Sequence, residues 1–198
     1  MYKHIHSISI VLLILAIGLT ACVSKTGAVS SPNPPSSNVG NGENGGEGGA
    51  EAALVTYSDS SQGFSIGYPQ PWTQDKSFTA GVKFVGGDDG MTLEFVAPSV
   101  GTDAMAYAQK DVTNIASLFP GFKEVGLAAS TEVKGAIVLG FQATGTSPVT
   151  GKEYTARGDR YYMPLADGRI AVLTEIGPLS HYDREGVRDI ALTFKLTK

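Results

Sequence analysis

Gly63-Phe64-Ser65-Ile66-Gly67-Tyr68-Pro69-Gln70-Pro71-Trp72 is the stretch that decides the fold of this 198-residue chain. Phe64, Ile66 and Tyr68 recur at period two, so they share one face of a strand. Pro69 and Pro71 have no amide hydrogen and forbid both continued pairing and an uninterrupted helix. Leu54-Val55-Thr56-Tyr57 reads as a strand before it. Residues 81–85 and 91–96 read as two strands after it, flanking Gly86-Gly87-Asp88-Asp89-Gly90, whose Asp-Gly ending suits a tight hairpin connection.

Further on, the period changes to that of a helix. Asp103 is a capping residue, and Met105, Ala108, Val112, Ile115 and Phe119 recur on one helical face until Pro120-Gly121 ends the segment. Strands are expected around 123–127, 136–143, 154–162 and 169–176, with Asp167-Gly168 turning between the last two. The runs 136–143 and 169–176 are apolar at nearly every position, as in central strands covered on both faces. Ser180 with Asp183 starts a final helix, whose buried stripe is Val187, Ile190, Ala191 and Phe194. The expected fold class is α+β, a central antiparallel sheet with helices on both faces.

The opening segment and the order of elements resemble the PsbP-like family. Its members commonly begin with a "gF-x-h-x-Y-P-x-x-W" strand and turn and end with a helix close to a Ser-Phe pair; here Thr193-Phe194 stands in that place. The resemblance spans nearly all of 54–198 and implies an alpha-beta-alpha sandwich. It also implies a non-catalytic role, since the family's best-known member is an extrinsic subunit of photosystem II. Similar domains include a Ran-binding nuclear import factor and mycobacterial lipoproteins. No metal-binding residue of the plant subunit matches a position here, so its calcium and chloride chemistry is not carried over. Trp72 is the family residue that can be placed, either closing the Tyr68-Pro69 turn at the rim of the core or acting as a binding hot spot.

Catalytic constellations are hard to assemble. Gly63-Phe64-Ser65-Ile66-Gly67 fits the G-x-S-x-G pattern, but a nucleophile elbow needs a sharp turn into a helix, and here the serine sits inside an alternating strand. Its base would have to be His181. Zinc normally takes three or four Cys or His ligands, which the chain past Cys22 cannot supply. Calcium asks only for oxygens, and Asp88 with Asp89 is the nearest candidate pair, followed by Asp183 with Glu185. Both have simpler roles in a turn and at a helix start. Arg157, Arg160, Tyr161 and Tyr162 form a basic and aromatic cluster. It reads either as an interaction face for an anionic or protein partner or as an edge strand with solvated arginines.

Residues 1–21 have the form of a secretory signal: Lys3 in a short polar start, an apolar run over 8–19 too short to span a bilayer, and small residues at the end. Leu19-Thr20-Ala21-Cys22 resembles the lipobox of bacterial lipoproteins, which implies that Cys22 is acylated and becomes the first mature residue. Acylation also explains a single cysteine in an exported chain. Residues 22–53, rich in Gly, Ser, Pro and Asn, read as a disordered linker with a reach of roughly 30 Å. Gly40-Asn41-Gly42-Glu43-Asn44-Gly45 matches a dinucleotide motif only by spacing, because no strand or helix flanks it. The domain proper is 54–198.

A formal net charge of -4 argues against a nucleic-acid partner. The sequence therefore points to a lipid-anchored, extracytoplasmic binding or assembly module at a cell membrane or outer membrane, with a protein partner. A small-ligand or calcium receptor is the alternative, and a small hydrolase the third reading.

Overall fold

The computed structural model describes residues 53–180, 182 and 184–197. The signal segment, Cys22, the linker with its glycine motif, His181 and Asp183 lie outside the described residues. Of Glu185 and Val187 only the backbone is described.

Leu54–Asp59 (β1) pairs antiparallel with Phe64–Pro69 (β2). Gly63 makes the turn with φ of 74°, which a side chain would strain. The alternation holds: Phe64 and Ile66 are buried, and Tyr68 stacks on Phe84 with ring centroids 3.9 Å apart. Thr73–Gln74 (β3), Gly81–Gly86 (β4) and Asp89–Val96 (β5) follow. The hairpin turn is Gly87-Asp88 instead of the expected Asp89-Gly90, since Gly86 already pairs with Asp89 and Gly87 takes the left-handed φ of 66°.

Helix α1 (Ala104–Leu118) starts at Asp103, whose side chain accepts the Ala106 amide at 2.7 Å. Lys123–Ala129 (β6), Ile137–Thr146 (β7), Glu153–Pro164 (β8) and Ile170–Pro178 (β9) form the expected run of strands. Arg184–Thr193 (α2) and Lys195–Leu196 (β10) complete the chain.

The strands form two sheets. Seven pair antiparallel in the order β3-β4-β5-β9-β8-β7-β6, and β1-β2-β10 make a separate sheet of three. The sequence suggested one sheet, and two residues in β10 are too few to leave a pattern. The large sheet is apolar on both faces. One face contributes Val82, Phe84, Leu93, Tyr161 and Leu173, packed with Phe64 and Ile66 of β2 and Ile190 and Ala191 of α2. The other contributes Leu139, Phe141, Tyr162 and Val172, packed with Ala104 and Ala108 of α1. Strand β9 is buried along almost all its length, as its apolar run required. Among the described residues no helix is long and apolar enough to cross a membrane.

Candidate functional site

The most concentrated polar chemistry lies under α1. Asp111 occupies the buried stripe of that helix, one turn from Ala108 and from Ile115. Arg160 of β8 donates from Nε to Asp111 Oδ2 at 2.9 Å. Its Nη1 donates to Thr174 Oγ1 of β9. The Tyr162 hydroxyl donates to the same Asp111 oxygen at 3.0 Å, and the Arg160 guanidinium lies 5.7 Å from the Tyr162 ring centroid. Tyr107 meets Tyr162 edge-on, with ring centroids 6.0 Å apart. Burial raises the Tyr162 hydroxyl far above its ordinary value, with Arg160 opposing the shift. The phenol is therefore a fixed proton donor to Asp111.

Glu94 of β5 stands at the margin of this network. Its Cα partners are Val172 on β9 and Gly81 on β4. Burial lifts its carboxyl above the ordinary range; Arg160 pulls it down and Asp111 pushes it up. The Tyr107 hydroxyl is raised for similar reasons: burial first, then Asp111.

The opposite face of β8 carries a second cluster. Arg157 Nη2 lies 2.9 Å from Asp159 Oδ1, and the Tyr182 hydroxyl donates to Asp159 Oδ2 at 3.3 Å. Glu175, the Cα partner of Asp159, is also buried.

Arg160, Tyr161 and Tyr162 are thus not an exposed interaction face, nor do they lie on an edge strand. Their relative exposures are 7%, 3% and 0%, and β8 lies between β9 and β7. Arg157 is nearly as enclosed. The physical reason is pairing: each arginine meets a carboxylate that allows the charge to leave water. Trp72 is partly buried, its ring lying over Gly86, where any Cβ would collide with it. Its side chain therefore caps the end of β4.

Ser65 sits within β2 opposite Ser58 and Lys195, in no elbow. Asp88 lies in the hairpin turn and Asp89 begins β5 directly after it. The Asp88 carbonyl accepts the Tyr154 hydroxyl at 3.1 Å, and Asp89 packs against Gly177. Among the described residues no group of three or more His, Cys, Asp or Glu side chains is placed to hold a metal ion. The residues that sequence reasoning missed are Glu94, Tyr107, Asp111 and Thr174. Asp111 alone left a signal, a charge on an apolar helical stripe.

A cleft of about 360 Å³ opens at the start of α1, between Met105, Ile137, Leu165, Ile170 and Arg169. The Arg169 guanidinium is 5.2 Å from the Phe95 ring centroid and 2.8 Å from Asp167.

No protein-family model matches the chain, and no curated protein matches it by sequence. Among solved structures it is similar to the Saccharomyces cerevisiae Ran-binding protein Mog1p. The TM-score is 0.55 at 9% identity, covering 74% of this chain and 97% of that one. It is similar also to the cyanobacterial PsbP of Synechocystis, with TM-score 0.49 and 18% identity over 78% and 98% of the two chains. LpqN, involved in cell envelope biogenesis of Mycobacterium tuberculosis, gives 0.45 and 14% over 76% and 88%. At such identities the likeness is one of architecture: the described residues have the α+β fold of Mog1p, a Ran-binding protein of the kind the sequence resemblance implied.

Proposed function

We propose that this chain is a non-catalytic binding or assembly module, lipid-anchored through Cys22, facing the extracytoplasmic side of a cell membrane or outer membrane and acting on a protein complex there. The observation that carries the reading is the coverage of Mog1p. Nearly the whole of a protein named for binding another protein has its counterpart in this domain. The core supports it, because Arg160, Asp111, Tyr162 and Thr174 bind one another and hold α1 to the sheet. The lipobox-like Leu19-Thr20-Ala21-Cys22 and the linker expected over 22–53 support the reading, since together they would hold such a module within reach of membrane partners. A photosynthetic complex is one partner compatible with the PsbP-like resemblance.

The test is crosslinking of the lipidated chain in its own cells, affinity capture and mass spectrometry, with Cys22→Ala as control. One stoichiometric membrane complex, lost in the control, is expected. Recovery of abundant bystanders alone would overturn the reading. A small-ligand receptor is the second reading, favoured by the cleft beside Met105 and Arg169, whose volume falls at the lower end for ligand pockets. Thermal-shift screens of small anions and ions test it.

A further inference from the structure

Strand β6 forms one margin of the seven-stranded sheet, and among the described residues no strand pairs with its outer side. The other margin, β3, is guarded by its length of two residues, whereas β6 runs for seven. Sheets commonly protect such an edge with charge, proline or a bulge. Here Lys123, Glu124 and the irregularity at Val125 guard only the start of β6, and Gly126-Leu127-Ala128-Ala129-Ser130 carries neither charge nor proline. Two hydrogen bonds fix which backbone groups point outward. The Thr144 amide donates to the Pro120 carbonyl at 2.7 Å and the Ser130 amide to the Ala136 carbonyl at 2.8 Å, so the even-numbered residues over 136–144 turn their amides and carbonyls toward β6. Gly126 and Ala128, the Cα partners of Gly140 and Val138, therefore bond inward, and Leu127 and Ala129 turn amide and carbonyl out.

We infer that a second copy of the chain docks on this edge, β6 antiparallel to β6 about a two-fold axis at Leu127, joining two seven-stranded sheets into one. Self-complementarity selects the occupant. Leu127 exchanges both backbone bonds with its own copy, and its half-buried side chain meets the same side chain, a match of like with like that an apolar residue favours and a charge would forbid. Ala129 comes opposite the irregularity at Glu124 and Val125 of the copy. Whichever way that extra residue is absorbed, Lys123 and Glu124 oppose only residues 129–131, which are uncharged. No like charges meet along the seam, and closure about one axis leaves β6 no free side for a third copy. The inference goes beyond the membrane reading above and does not depend on it.

The test is the protein mass of the full chain in detergent, measured by light scattering on a sizing column. Wild type is expected at twice the mass of one chain. In this register Gly126 lies opposite Ala128 of the copy. Both are exposed, and a Cβ at position 126 meets nothing within 4 Å, so side chains added there spare the fold. Gly126→Lys with Ala128→Lys sets lysine against lysine and is expected at the mass of one chain, a twofold drop, with an unchanged circular dichroism spectrum. Gly126→Lys with Ala128→Glu sets opposite charges face to face and is expected to return to the doubled mass. A wild type with the mass of one chain, the result if β6 instead receives an extended segment of a different protein, would overturn the inference. So would a double-lysine variant that stays paired, or a Lys–Glu variant that stays single.

Discussion

The Gly67 amide donates to Thr193 Oγ1 at 2.6 Å across 126 residues of sequence, joining β2 to the end of α2. Thr193 in turn donates to the Ile190 carbonyl at 2.6 Å. The room for this contact comes from glycine, because a Cβ at position 67 would sit 2.9 Å from that oxygen. The two ends of the PsbP-like pattern, the "gF-x-h-x-Y-P" strand and the hydroxyl-Phe pair, thus meet in one hydrogen bond.

Thr193→Val keeps the shape and removes the acceptor, leaving the Gly67 amide unmet. A loss of about 1–3 kcal/mol in urea denaturation is expected. Thr193→Ser, which keeps the oxygen, should retain most of the stability.

The Asp111–Arg160 pair predicts a larger effect. Asp111→Ala leaves a guanidinium buried without its counter-charge, at a cost of about 3–5 kcal/mol. Replacing both members with apolar residues, Asp111→Leu with Arg160→Met, should recover much of that loss. If the double variant were no better than Asp111→Ala, the account of the pair as a mutual compensation would be wrong.

Gly158 lies in β8 beneath the Phe141 ring, where an added Cβ would enter the ring itself. Gly158→Ala should therefore destabilise by about 1–3 kcal/mol through overpacking. Gly126→Ala is the control: nothing lies within 4 Å of a Cβ there, and its stability should change little.

Glu94 and Asp75 predict opposite pH dependences. Burial raises the Glu94 carboxyl above 4.5. Its stabilising contribution is full below that value and is lost as pH rises through the folded value. Glu94→Gln should thus have a higher Tm than wild type at pH 7, with the difference vanishing at pH 4. Asp75 accepts from Ser77 and pairs with Lys83 at 3.0 Å, which lowers its carboxyl from 3.8 to about 2. Its contribution is present above 3.8 and disappears as pH falls through about 2. Asp75→Asn should flatten that acid limb of the Tm profile.

The strands and helices that could be read from sequence were those whose signals are local. Phe64, Ile66 and Tyr68 alternate because one face of β2 is buried, and Asp103 marks α1 because a free amide three residues on needs an acceptor. Strand β8 was legible as a strand but not as a central one. Arg157, Asp159 and Arg160 read as solvated charges until a partner is known, and the partner of Arg160 lies on α1, 49 residues earlier. Glu94 was invisible for the converse reason. Nothing in its own segment distinguishes a carboxylate beside Gly81 and Asp111 from any other polar residue on an alternating strand. Pairwise chemistry between distant segments leaves no period for a sequence to show.

The small sheet has a consequence for how the molecule is made. Its middle strand is synthesised before the large sheet, yet Lys195 and Leu196, which follow that sheet in the chain, pair with Ser65 and Phe64. A nascent chain cannot close this sheet before β10 has left the ribosome, and the long loop slows the closing step afterwards. Completion of the three-stranded sheet therefore waits for β10, so the pairing with β10 is the last of that sheet to lock.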